Sequence, residues 1–154
     1  MTIRPKNFTI VSGVGQSQYP LVAFDNAVRD AGIGDLNLVK VSSVLPAHCV
    51  YKENISVKNG SIIYTAYSSI TVKECETGNT AVAVALPSLP NESGVIFEYS
   101  IHEQHSDLKD VLYVMCLEAM SNRKKTIKEI KYVSKDVSGT PGLFSVAISA
   151  VVMW

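Results

Sequence analysis

Long apolar runs are missing from this chain. None reaches the roughly 20 residues that a membrane-spanning helix needs. The opening stretch, MTIRPKNFTIVSG, has charges but no apolar centre of a secretion signal. A cytoplasmic protein without a membrane partner is the expectation. An excess of one charge is also missing: Lys and Arg number 14, and Asp and Glu number 14. That balance argues against a broad nucleic-acid-binding surface. Cysteine is scarce. Cys49, Cys75 and Cys116 are odd in number and widely spaced, so they form neither a paired metal motif nor a disulfide framework. Buried free thiols are expected. Charged residues make up only 18% of the chain, which leaves room for surface covered by partner subunits.

Several catalytic signatures are absent too. SGVGQSQ lacks both the GxGxxG spacing and the Lys-Ser/Thr of a phosphate cradle, so it reads as a turn. No GxSxG elbow supports a Ser-His-Asp hydrolase. His102 and His105 lie near Glu103 and Cys116 in sequence, but at no usual zinc spacing. GNT at Gly78 and NES at Asn91 read as loops.

What remains is a chain of 154 residues, 47% of them apolar. It suits one domain over residues 1–154 with a real core. Asn7 to Val14 reads as a strand closed by Gly13 and Gly15. Pro20 fits the first turn of a helix that carries Leu21, Phe24, Val28 and Ala31 on one face and stops at Gly32. Leu36 to Val44 reads as the next strand. Ser61 to Val72, Thr80 to Leu86 and Gly94 to Ile101 follow. A second helix runs from Ser106, a cap with Asp107 behind it, to Met120. Its expected inner face holds Leu108, Val111, Leu112, Met115 and Ala119. Thr126 to Val137 and Leu143 to Met153 complete the sheet. The last run is apolar on both faces and should be a central or interface strand. The class is α+β, built in layers.

One block stands out: PLVAFDNAVRDAGIGDLNLVKVSSVLP, from Pro20 to Pro46. It contains PLVAFD, AGIG and NLVKVSSVLP in order. Ile96-Phe97-Glu98-Tyr99 and Thr65-Ala66-Tyr67 follow downstream. This series resembles the pyruvoyl-dependent arginine decarboxylases along nearly the whole chain. Some members have a second proline after the serines, where this chain has Ala47, His48 and Cys49.

The resemblance implies a four-layer αββα sandwich. It implies homo-trimers or dimers of trimers, with sites at subunit interfaces. It implies self-cleavage between Ser42 and Ser43 into a β chain of residues 1–42 and an α chain of residues 43–154. The Ser43 hydroxyl attacks the Ser42 carbonyl, and elimination followed by hydrolysis turns Ser43 into a covalent pyruvoyl group. No metal and no pyridoxal phosphate are then needed. The ketone condenses with the amine of arginine and accepts the electrons freed as carbon dioxide leaves, giving agmatine for polyamine synthesis or acid resistance. Glu98 is the implied proton donor, and Asp25 holds the guanidinium.

The residues themselves leave alternatives open. Asn37 lies six positions before Ser43. On a regular strand the two share a face, and the amide could support the oxyanion during cleavage. Asn37 could equally be an ordinary strand-start residue. Glu98 is either an acid with a pKa raised by burial or an exposed strand glutamate. Without the resemblance, Asp25 would read as a solvated helix residue, and Ser42 and Ser43 as strand-end serines capping a turn. The same chemistry on another amino acid, or an uncleaved structural trimer, are the rival functions.

Overall fold

The computed structural model describes residues 2–103 and 108–154. The elements run β1 (Asn7–Ser17), α1 (Pro20–Asp30), β2 (Asn37–Lys40), β3 (Val44–Leu45), β4 (Val50–Tyr51), β5 (Ile62–Val72), β6 (Thr77–Pro87), β7 (Gly94–Ile101), α2 (Leu108–Asn122), β8 (Ile127–Ser138) and β9 (Phe144–Met153). They form two sheets. The first has the order β2-β5-β9-β1-β4 and the second β3-β7-β6-β8.

The two faces of each sheet are both covered. On the first sheet, Ile148, Ala150 and Val152 of β9 pack against Ala23, Ala27 and Val28 of α1. The alternate residues Val151 and Met153 meet Val82, Val84 and Ile96 of the second sheet. On the far face of that sheet, Ala81, Ala83 and Val95 pack against Leu108, Leu112, Cys116 and Met120 of α2. The order is therefore helix, sheet, sheet, helix. β9 is the middle strand of the first sheet and is buried on both sides, which is why its sequence has no polar face.

Several sequence expectations change. Gly13 and Gly15 do not close β1 or form a turn; both lie within it. They are glycines because α1 rests directly on their backbone. A Cβ at Gly13 would lie 2.3 Å from the Ala27 carbonyl oxygen, and one at Gly15 would lie 2.3 Å from the Ala27 nitrogen. Asp30 secures the same contact, its carboxylate accepting from the Val14 N–H at 2.8 Å. Gly15→Ala should therefore lift α1 from the sheet. The expected cost is about 1–3 kcal/mol or more, or roughly 2–4 °C of melting temperature per kcal/mol in a chain this size. A thermal melt checks it.

The second change concerns the helix faces. Leu21 is 84% exposed; the expected Val28 and Ala31 are buried, and Ala23 and Ala27 join them in place of Leu21. On α2, Val111 is exposed while Cys116 and Met120 face inward. Ser106, Asp107 and His105 lie outside the described residues. The third change is among the thiols. Cys116 is buried, Cys49 half-buried and Cys75 exposed. GNT lies inside β6 rather than in a loop.

Among the described residues no helix is long and apolar enough to cross a membrane. No group of three or more His, Cys, Asp or Glu among them could hold a metal ion.

Candidate active site at the sheet-to-sheet crossover

Leu36 to Val44 is not one strand. β2 pairs in parallel with β5, from Asn37–Ile62 to Lys40–Thr65. The Val41 N–H still donates to the Thr65 carbonyl at 3.1 Å. The chain then leaves the first sheet. By Val44 it is paired antiparallel with Val95 of β7 in the second. Ser42 and Ser43 fall in the gap between the two ladders.

That position frees the peptide bond between them. The Ser43 carbonyl is held by the Ile96 N–H at 2.8 Å. Among the described residues, the Ser42 carbonyl accepts no hydrogen bond and the Ser43 N–H donates none. Ser42 is exposed and Ser43 half-buried. A bond inside a ladder would be shielded and fixed; this one is anchored just downstream and open. A mostly apolar cavity of about 230 Å³ lies beside it, with Val41 and Val44 in its wall.

Glu98 sits on β7 opposite Val82 of β6. It is two residues beyond Ile96, so it alternates onto the same inter-sheet face. Two strand residues along and one strand across put its backbone roughly 8 Å from that of Ser43. Glu98 is half-buried. Burial raises its carboxyl above the usual range, against a smaller opposing pull from the Lys40 charge and its own backbone N–H. An exposed strand glutamate would not behave this way.

Behind Glu98 lies a polar group that sequence reasoning missed. Ser68 Oγ donates to the Tyr99 carbonyl at 2.9 Å and is hydrogen-bonded to Thr80 Oγ1. Ser149 Oγ donates to the Thr80 carbonyl at 3.0 Å. Ser68 and Ser149 belong to the first sheet, Thr80 and Tyr99 to the second. The three hydroxyls therefore pin the sheets together next to the acid. Their only signal in the sequence is a polar residue at an inward position of an otherwise apolar strand.

Lys40 was also passed over. Its Nζ lies 4.5 Å from the centre of the Tyr67 ring. Tyr67 in turn packs against Phe24 of α1, with centroids 6.0 Å apart. The only sequence cue was a lysine three positions before Ser43.

The remaining expected residues lie apart from this cluster. Asn37 is exposed at the start of β2, and its Nδ2 donates to the Gly60 carbonyl at 2.8 Å. The regular strand that would have put Asn37 and Ser43 on one face ends at Lys40. Asp25 is exposed on α1, with no hydrogen bond or ion pair among the described residues. A cavity of about 700 Å³ includes Leu45 and Pro46 but not Ser43, Glu98, Asp25 or Asn37.

Comparisons with known proteins bear on the family and the fold. The profile of the family described as pyruvoyl-dependent arginine decarboxylase matches residues 7–154. A protein of that name from Pyrococcus furiosus is 34% identical, over 99% of this chain and 97% of its own. Another from Pyrococcus horikoshii is 32% identical, with the same coverage. Among solved structures, a pyruvoyl-dependent histidine decarboxylase at pH 8 superposes with a TM-score of 0.51 at 15% identity. The match covers 64% of this chain and about half, 52%, of that one. At that identity the likeness is one of fold.

Proposed function

The chain belongs to the pyruvoyl-dependent arginine decarboxylase family, and on that premise we propose that it cuts itself between Ser42 and Ser43 and then converts arginine to agmatine and carbon dioxide. One observation carries the reading. The adjacent serines of the Pro20–Pro46 block lie at an unpaired crossover, next to a half-buried glutamate whose pKa is raised.

Cleavage uses the chain's own atoms. Ser43 Oγ attacks the Ser42 carbonyl carbon, the C–N bond breaks, and the peptide becomes an ester. Loss of the Ser43 α-proton expels the Ser42 carboxylate and leaves a dehydroalanine end. Water adds and ammonia departs, giving the pyruvoyl end. The Ser43 carbonyl stays on Ile96 N–H throughout, so the new end is held while its side chain changes. The crossover suits such a group: it is open on the Ser42 side and anchored on the Ser43 side.

When formed, that group supplies an electrophilic carbonyl that takes the substrate amine and draws off the electrons released with carbon dioxide. The chain's residues do the rest. Burial favours the protonated form of Glu98, which delivers a proton to the carbon that lost its carboxylate. Asp25 offers a carboxylate for two parallel hydrogen bonds to the guanidinium. Asn37 supports cleavage with the amide N–H that Gly60 leaves free. Asp25 and Asn37 are exposed on the chain that carries them, which favours an assembly of copies, trimeric in the reading here, with sites shared between neighbours.

Carbon dioxide release should be strongest from arginine in a panel with lysine, ornithine and histidine. Asp25→Asn should raise the arginine KM about tenfold to a hundredfold with less effect on kcat, the loss expected for a charged hydrogen-bonded pair. Equal release from all four amino acids, or an unaltered KM, would place the guanidinium elsewhere.

A further inference from the structure

We propose that Lys40 receives the α-carboxylate of the amino-acid substrate; the inference rests on the decarboxylase reading above. Arginine brings three charged groups. The amine goes to the Ser43 end and the guanidinium to Asp25, which leaves the carboxylate. It shares a carbon with the amine, so it must lie within a few bonds of the Ser43 end. A cation is needed there.

Lys40 ends β2, three residues before Ser43, with roughly 10 Å of chain between them. The Tyr67 ring at 4.5 Å supports its ammonium, and Phe24, next to Asp25, supports that ring. An aromatic face holds an ammonium without using its N–H donors as an acceptor would. No carboxylate lies within ion-pair distance of Lys40 among the described residues, where the one ion pair is Lys131–Glu129. The Lys40 charge acts on the Glu98 carboxyl, so the two lie within electrostatic reach of each other.

Two other cations line the cavity next to Val44: Arg4 and Lys125. Lys125 is committed, its Nζ donating to the Ser93 carbonyl at 3.0 Å and to Ser93 Oγ at 2.7 Å. Arg4 is the rival.

The chemistry limits what Lys40 can do. A cation holding a carboxylate that must leave stabilises the bound substrate more than the transition state. Its effect belongs in KM rather than kcat. It would also favour amino acids over amines and let agmatine go, since agmatine has no carboxylate.

Two probes separate these contributions. Argininic acid keeps the guanidinium and carboxylate but has a hydroxyl in place of the amine, so it is not turned over. Agmatine keeps the guanidinium and amine but has no carboxylate. Calorimetry on the self-cleaved protein should show both bound by the wild type. Lys40→Met should weaken argininic acid about tenfold or more, the loss of a hydrogen-bonded charge, and leave agmatine within about twofold. Lys40→Arg should keep both, and Arg4→Met should change neither. Lys40→Gln serves as a second neutral variant if methionine disturbs self-cleavage.

Unchanged argininic acid binding in the neutral variants would overturn the assignment. So would equal loss of both probes, which would make Lys40 a structural residue, or a selective loss in Arg4→Met. A wild type that binds neither probe and releases no carbon dioxide from arginine would instead overturn the decarboxylase reading.

Discussion

Ser43→Ala should leave the chain in one piece and without decarboxylase activity. Both steps of cleavage need the missing oxygen. It is the nucleophile that turns the peptide into an ester, and it is the atom through which the Ser42 carboxylate then leaves. Alanine offers neither. Ser42→Ala is the matched control, because Ser42 contributes only its carbonyl and should still be cut. A denaturing gel and intact mass read both. The fold should survive in each variant, since Ser43 is held by its backbone carbonyl and Ser42 makes no hydrogen bond among the described residues. Two fragments from Ser43→Ala would remove it as the nucleophile, and a melt matching the wild type would show that loss of cleavage is not loss of structure.

Much of this fold could be read from periodicity, and the exceptions share a cause. Gly94–Ile101 is a strand with the bounds that its alternation predicts. β9 is central, as its two apolar faces require. Gly13 and Gly15 mislead because the usual local meaning of glycine is a turn. Here the reason is tertiary: a helix backbone lies where a Cβ would go. Leu21 misleads for a related reason. Where the helix rests on Gly13 and Gly15 the residues beneath it are alanines, and the larger Leu21 is turned outward.

The candidate site divides the same way. Its serines and glutamate were legible as a motif. What periodicity hid is that VKVSSVLP belongs to two sheets. Its apolar pattern continues through the change, because both sheets bury the same inner layer. Asn37 was tied to Ser43 by an alternation that stops at Lys40. Lys40 itself gives no sequence signal beyond its nearness to the serines, since its ring support comes from β5 and its neighbouring acid from β7.

Glu98→Gln should cut itself normally and then turn over about a hundredfold to ten-thousandfold more slowly, the usual worth of a positioned acid. The pH dependence identifies the group. Burial raises the Glu98 carboxyl, so it keeps its proton above the ordinary carboxylate range. Wild-type kcat/KM should fall as pH rises through that value, because a deprotonated glutamate has no proton to give. In the glutamine variant this limb should disappear; a limb that persists would assign the acid to another group. Wild-type stability should also fall as pH rises. A carboxyl raised in the folded state costs nothing below its unfolded pKa, where folded and unfolded chains both hold the proton. As pH rises through the folded value, a charge forms in a half-buried site and stability is lost. Glutamine carries no such charge, so above that pH the variant should melt at or above the wild-type temperature. Loss of turnover without loss of stability separates a proton donor from a structural residue. A variant that loses both would show that Glu98 holds the crossover together instead.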